Sequence, residues 1–349
     1  MSIAVSNGVL DKNIAYQVEI LEEVSRTFAL TIPQLPENLR VAVGNAYLIC
    51  RIADTIEDEP TLTAARKTEF SERFTEIVRG KGDAERFAVE LSRELSSSTN
   101  ESEKDLVANT ARVVEVTLRM NATQRRAIER CVTIMVGGMM QFQRNASVEG
   151  LKDLSDMNRY CYCVAGVVGE MLTELFCDHS IEINSRKGKL LPLSVSFGQG
   201  LQMTNILKDM WDDRKRGACW LPKDTFERNG LELGLISAGM DDPGLANGIR
   251  ELVSVALRHL KDALDYVLLI PASEIGIRRH CLWALFFAVL TLRRIHATPT
   301  FVRGEDVKIS RRSVKATIFA ANLFARSDMS LKLLFGSLTH GIPQTGFEG

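Results

Sequence analysis

Tyr47-Leu48-Ile49-Cys50-Arg51-Ile52-Ala53-Asp54-Thr55-Ile56-Glu57-Asp58 is the stretch from which the fold and the chemistry are read. As a helix it sets residues three and four apart on one face, so Asp54 points the same way as Glu57 and Asp58. Three carboxylates on one face near a helix end repel each other unless a cation lies between them. Hard oxygen ligands of this kind suit Mg²⁺, above all where phosphate completes its shell. The pattern occurs twice. Asn205-Ile206-Leu207-Lys208-Asp209-Met210-Trp211-Asp212-Asp213 sets Asp209, Asp212 and Asp213 at the same i, i+3, i+4 spacing. Gln202 and Asn205 carry that polar stripe two turns further, along a helix that otherwise holds Leu201, Ile206 and Leu207, which implies a lined cavity. A solvated acidic helix end would explain either cluster alone. Two clusters of equal spacing, each following an apolar helix, are harder to dismiss that way. Arg51, Lys208, Arg214, Lys215 and Arg216 stand beside them. Carboxylate-held Mg²⁺ with Arg and Lys is what a diphosphate needs if its charge is to be neutralised before it leaves.

Outward from these two stretches, helical periodicity dominates and long strand-like alternation is absent. The spacing of apolar residues and breakers predicts helices over Asp11–Ser25, Glu37–Thr55, 63–79, 82–96, 102–119, 122–144, 154–177, 187–213, 243–268, 275–296 and 311–335. Turn chemistry marks the joints at Lys81-Gly82, Glu149-Gly150, Asn229-Gly230 and Asp242-Pro243-Gly244. With 349 residues, only 9 prolines and no Pro- or Ser-rich linker, the chain reads as one all-α domain over 1–349.

The composition excludes several functions. A formal net charge of −1, with basic residues spread along the chain and mostly interleaved with acids, speaks against nucleic acid as a partner. The 7 cysteines lack metal-ligand spacing and read as reduced thiols of a cytoplasmic protein. The 5 histidines form no cluster, so zinc and haem have no support. The N-terminus lacks a signal-peptide pattern. The strongest apolar run, Cys281–Leu292, is short of the ~20 residues that span a bilayer and reads as a buried helix. The last residues carry no apolar anchor, so the expectation is a protein without a transmembrane anchor that touches the membrane only peripherally.

At this point the chain resembles the squalene and phytoene synthase family, the head-to-head trans-prenyltransferases. Ser25-Arg26-Thr27-Phe28 is similar to the family's N-terminal element. Tyr47–Asp58 resembles its first Asp-rich segment and Gln202–Asp213 its second. Tyr160–Gly169 is similar to its Tyr-bearing central helix, and Arg216-Gly217 with Trp220-Leu221-Pro222 to the loop that follows the second segment. The matches keep family order from about residue 25 to about 312. The resemblance implies an all-α, isoprenoid-synthase-type bundle around a hydrophobic cavity. It implies two farnesyl diphosphates as substrates, presqualene diphosphate as intermediate, and Mg²⁺ as cofactor.

Residue by residue, it implies that Asp54, Asp58, Asp209 and Asp213 hold Mg²⁺, with Glu57 and Asp212 auxiliary. Asp212 stands where the family usually has Glu. Arg26, Arg51 and Lys208 would contact phosphate; Lys208 does so as a point charge, without the fork of an Arg. Ser25 and Phe28 would line the ionisation site. Gln202 and Asn205 would bond phosphate, water or the nicotinamide side. Tyr160 would assist proton removal, with diphosphate or Tyr47 as relay. Val307-Lys308-Ile309-Ser310-Arg311-Arg312 is similar to a segment of squalene synthases tied to the NADPH-using half-reaction, which assigns Lys308 and Arg311 to that cofactor; Ser310 stands where that segment often has Arg. Rival readings are a phytoene or dehydrosqualene synthase, an inactive member serving as a binding protein, and a head-to-tail synthase or terpene cyclase.

Overall fold

The computed structural model describes residues 2–25 and 27–343, with side chains from residue 10 onward. Arg26 and the tail 344–349 lie outside the described residues. Packing of the backbone divides the chain into two compact units, Met1–Arg144 with Met171–Asn184, and Asn145–Glu170 with Ser185–Gly349. Among the described residues every regular element is helical, and the only β-type pairing is an isolated bridge between Leu151 and Pro222.

The helices, in chain order, are α1 Ser2–Val24, α2 Phe28–Thr31, α3 Glu37–Asp58, α4 Ala64–Val78, α5 Ala84–Glu94, α6 Glu101–Ala108, α7 Thr110–Arg119 and α8 Ala122–Gln143. They continue as α9 Leu154–Cys161, α10 Val167–His179, α11 Ile181–Asn184, α12 Lys187–Lys215, α13 Lys223–Arg228, α14 Pro243–Leu269, α15 Ile275–Ala297, α16 Arg311–Phe324 and α17 Asp328–Thr339. Four expectations from sequence change. The first helix begins nine residues earlier, at Ser2. The helix expected over 102–119 is two, because Asn109 leaves the helical region and its amide caps the Asp105 carbonyl at 2.9 Å. The helix over 154–177 is interrupted by a π-turn at Tyr162–Gly166. The helix over 311–335 is a hairpin, broken between Phe324 and Asp328, where the Ser327 hydroxyl caps α17.

In the first unit α3 is the central helix, and Leu48, Ile49, Ile52 and Ile56 are fully buried along it. Asn45 lies in this apolar core with no exposure, which would be costly without partners. Its amide donates to Gln17 Oε1 (2.7 Å) and the Val113 carbonyl (2.8 Å), and its oxygen accepts from Thr117 Oγ1 (2.7 Å). That one side chain ties α1, α3 and α7 together. Phe70, Phe74 and Phe87 pack ring against ring under α4 and α5, with centroids 5.9 and 5.7 Å apart.

In the second unit α12 packs on α14, α15 and the π-turn. Close approach requires glycine there: a Cβ on Gly198 would stand 2.2 Å from the Ala165 carbonyl oxygen. By length and composition, α15 and the stretch Leu154–His179 are apolar enough to cross a membrane, yet Leu282, Leu285, Phe286, Val289 and Leu292 of α15 are buried inside the protein. The expectation that Cys281–Leu292 is a core helix therefore holds. Arg278, buried at the start of α15, donates to the carbonyls of Ile270 (2.8 Å) and Ala325 (3.0 Å) and to Asp328 (2.8 Å), fastening α17 to this core.

Candidate active site

The first acidic face is built by the end of α3. Pro36 precedes the helix, and the chain leaves it at Glu59-Pro60, so Asp54, Glu57 and Asp58 occupy its last two turns. A helix C-terminus is the negative end of the macrodipole, and carboxylates there are unfavourable. No basic residue sits in that last turn to offset them. The Asp54 carboxyl is pushed up to about 7, first by burial, with the charges of Asp58, Glu57 and Glu103 adding and Arg51 opposing. Negative charge is therefore crowded at the end of α3, with Arg51 the cation nearest Asp54.

Other groups hold the surroundings of this face in place. Arg51 lies 4.0 Å from Asp54 and forms an ion pair with Glu103 at the start of α6. Its Nε is buried without a partner. Glu57 accepts a hydrogen bond from the Gln143 amide of α8, while Lys67 bonds the Glu57 carbonyl at the helix end. Glu57 is thus engaged from the side. One to two turns N-terminal of Asp54, Tyr47 donates to the Val24 carbonyl (3.1 Å), and Phe28 lies against its ring at 4.9 Å between centroids. The Ser25 hydroxyl accepts from the Phe28 amide (2.9 Å). Burial, the largest effect, raises the Tyr47 phenol. It stays protonated and acts as a donor. The first unit therefore gathers Ser25, Phe28, Tyr47, Arg51 and Asp54 along one side of α3.

The second acidic face is built by the end of α12. Lys208 reaches Asp209 at 3.1 Å and Asn205 Oδ1 at 3.5 Å. Burial raises the Asp209 carboxyl, with Lys208 and Arg216 opposing and Asp212 adding. Asp212 is exposed and paired with Lys215 at 2.8 Å; Asp213 is buried and paired with Arg216 at 2.6 Å. Gln202 is half-buried on the same helix. Arg214, one of the flanking cations, is structural: it donates to the carbonyls of Val148 (3.0 Å) and Gly234 (2.6 Å).

A segment that sequence reasoning did not connect with this face lies against it. The indole of Trp211 donates to the Phe301 carbonyl at 2.7 Å, which draws the 3-10 turn Gly304–Val307 onto α12. A Cβ on Gly304 would stand 3.1 Å from the Lys208 carbonyl and 3.5 Å from Asp209 Oδ1. Val307 is buried, and Lys308 and Arg311 beyond it are exposed. The central tyrosine is placed by the loop after α12: Tyr160 stacks on Trp220 with centroids 4.4 Å apart and planes 10° from parallel. The loop is pinned in turn by the Leu151 amide on Leu221 (2.9 Å) and the Lys223 amide on Leu151 (2.8 Å).

Among the described residues no three His, Cys, Asp or Glu side chains close a metal cage by themselves. Glu103, Gln143 and Gly304 escaped the sequence reading. The pair Arg51–Glu103 is separated by 52 positions, and no local spacing signals it.

Residues 21–313 match the family model described as squalene/phytoene synthase. The squalene synthase ERG9 of Candida albicans is 28% identical over 303 residues, which are 85% of this chain and 65% of that protein. The chain therefore spans about two thirds of the length of that curated relative. Among solved structures, TcSQS with the ligand BPH1237 superposes with a TM-score of 0.76 at 22% identity, covering 96% of this chain and 94% of that one. A dehydrosqualene synthase in complex with a ligand superposes with a TM-score of 0.65 at 20% identity, covering 91% and 98%. At these identities the structural likeness shows the fold, an all-helical fold of the squalene synthase type.

Proposed function

We propose, because this chain belongs to the squalene/phytoene synthase family, that it joins two farnesyl diphosphates head to head into presqualene diphosphate and then reduces that intermediate with NADPH to squalene. The observation that carries the reading is the repeated acidic face, Asp54 with Asp58 on α3 and Asp209 on α12, each with a cation beside it. That one reaction calls on both faces is also our reason to propose residues 1–349 as a single catalytic domain.

Bound Mg²⁺ would neutralise diphosphate and make it a leaving group. Asp54, Asp58, Asp209 and Asp213 are the carboxylates proposed to hold it, Asp213 after release from Arg216. Arg51, oriented by Glu103, would add a planar donor to the phosphate oxygens. Arg26 would add a second guanidinium, Lys208 a point charge, and Gln202 and Asn205 hydrogen bonds. The Phe28 and Tyr47 rings, with Ser25 at their edge, present π-faces to an allylic cation. They also keep out the water that would quench it. Tyr47 donates to Val24, which favours the departing diphosphate over Tyr47 as the relay in cyclopropane closure, with Tyr160 assisting proton removal. Lys308 and Arg311, exposed next to the turn that covers Asp209, suit the phosphates of NADPH. Cytoplasmic residence belongs to the same proposal and is supported by seven free cysteines.

The test is product analysis after incubation with farnesyl diphosphate and Mg²⁺, with and without NADPH. Squalene formed only with NADPH is the expected result. No condensation product at all would remove the head-to-head reading. An identical hydrocarbon in both incubations would instead favour a dehydrosqualene-type reaction, the second reading that the likeness to the solved dehydrosqualene synthase supports.

A further inference from the structure

The hairpin α16–α17 packs on α15 with Thr317 and Ala321 of its first helix and Leu331 and Phe335 of its second buried. The opposite face has no partner within the described residues and carries large apolar side chains. Phe319 is 70% exposed, Leu323 63%, Met329 68% and Leu333 67%. These are four of the eleven large apolar side chains exposed among the described residues, brought into two adjacent turns of the fold. Helical geometry explains the grouping. Arg312, Lys315, Phe319 and Leu323 recur at three- and four-residue steps on α16, half a turn away from Thr317 and Ala321, and Arg326 follows in the turn between the helices. Met329 and Leu333 do the same on α17, opposite Leu331 and Phe335.

The charge around this apolar strip has one sign. Residues 311–340 contain Arg311, Arg312, Lys315, Arg326 and Lys332 against a single acid, Asp328. Asp328 is paired with the buried Arg278 at 2.8 Å. The five cations are all exposed. The segment carries +4 by formal charge, while the rest of the chain carries −5. An apolar strip rimmed by Lys and Arg on helices of about 21 and 18 Å has the composition of a surface that lies flat in a headgroup layer. It is too short to span one.

We propose that the outer face of the α16–α17 hairpin is a docking surface for an anionic lipid bilayer, with Phe319, Leu323, Met329 and Leu333 entering the acyl boundary and Lys315, Arg326 and Lys332 meeting lipid phosphates. Charge decides between this occupant and a second copy of the chain. A two-fold contact through this face would set +4 against +4, whereas the cytoplasmic leaflet of a membrane is negative. The inference stands on the hairpin alone, whatever reaction the acidic faces perform.

The test is co-sedimentation of the full chain with vesicles of phosphatidylcholine alone and with about one third phosphatidylglycerol added. The wild-type chain binds the anionic vesicles, and about 0.5 M NaCl releases most of it. The variant Lys315→Glu/Arg326→Glu/Lys332→Glu loses about a hundredfold in partitioning or more, since each basic residue near the surface contributes several-fold. The variant Phe319→Ser/Leu323→Ser loses about tenfold or more. All altered side chains are exposed, so both variants retain the wild-type thermal midpoint, which calorimetry checks. Equal binding of the wild type to neutral vesicles, or unchanged binding by either variant, overturns the proposal. So does a lipid-free dimer in analytical ultracentrifugation that Phe319→Ser/Leu323→Ser abolishes, because that outcome gives the face to a second copy.

Discussion

Glu59 follows the first acidic face directly, yet its surroundings make it a structural acid. It is 1% exposed. One carboxylate oxygen accepts from the Thr61 amide (3.0 Å) and hydroxyl (2.7 Å), and the other from the Ser96 amide (2.9 Å) and the Thr99 hydroxyl (2.6 Å). Burial alone would raise this carboxyl. The four donors outweigh burial and bring it down to about 2 from the usual 4.5. That difference corresponds to about 3 kcal/mol in favour of the charged form. Glu59→Gln keeps the shape but turns one oxygen into a donor facing two donors. Losing two hydrogen bonds to a charged group gives a similar cost, about 3 kcal/mol or somewhat more.

The sign follows from the depressed value. The stabilisation is full above the unfolded value of 4.5 and is lost as pH falls from there towards about 2. Urea unfolding followed by circular dichroism should therefore show Glu59→Gln less stable than wild type by about 3 kcal/mol at about pH 7. The gap should close on acidification through that window. A gap below about 0.5 kcal/mol at neutral pH, or one that does not change with pH, would refute the assignment of Glu59 as the acceptor that ties the end of α3 to the loop before α6.

Four further predictions concern the site. Asp54→Ala and Asp209→Ala should each lower turnover by about a thousandfold with the helical circular dichroism signal unchanged; full turnover in either removes that residue from metal binding. Asp54 is pushed up to about 7, so in the proposed metal site its proton would compete with Mg²⁺ below that value. Half-saturating Mg²⁺ should be about tenfold higher at about pH 6 than at about pH 8, and a flat Mg²⁺ titration across that range contradicts it. Gly304→Val should push on the Asp209 carboxylate and raise half-saturating Mg²⁺ about tenfold, while calorimetry shows a midpoint shift of no more than about 2 °C. Lys308→Ala should lower the ratio of squalene to presqualene diphosphate several-fold without slowing consumption of farnesyl diphosphate. Slowed consumption with an unchanged ratio would move Lys308 from the cofactor to the first half-reaction.

Local order was legible in the amino-acid sequence because it depends on short-range spacing. The i, i+3, i+4 placement of Asp54, Glu57 and Asp58, and of Asp209, Asp212 and Asp213, is a property of any helix that contains them. So is the burial of Leu282, Phe286 and Val289 on one strongly apolar helix. The all-helical fold and the family follow from such patterns taken in order along the chain. Tertiary structure decided what spacing cannot encode. Glu103 holds Arg51 and Gln143 holds Glu57 because α6 and α8 pack beside α3. Gly304 lies on Asp209 because Trp211 draws a turn back from some ninety residues away. Asn109 ends one helix and Ser327 starts another where periodicity alone would run straight on, because a side-chain hydrogen bond to the backbone outweighs one more helical turn. The π-turn at Tyr162–Gly166 shifts the register of a helix whose composition is helical throughout. Periodicity reports which face of a helix is apolar; only packing reports what that face meets.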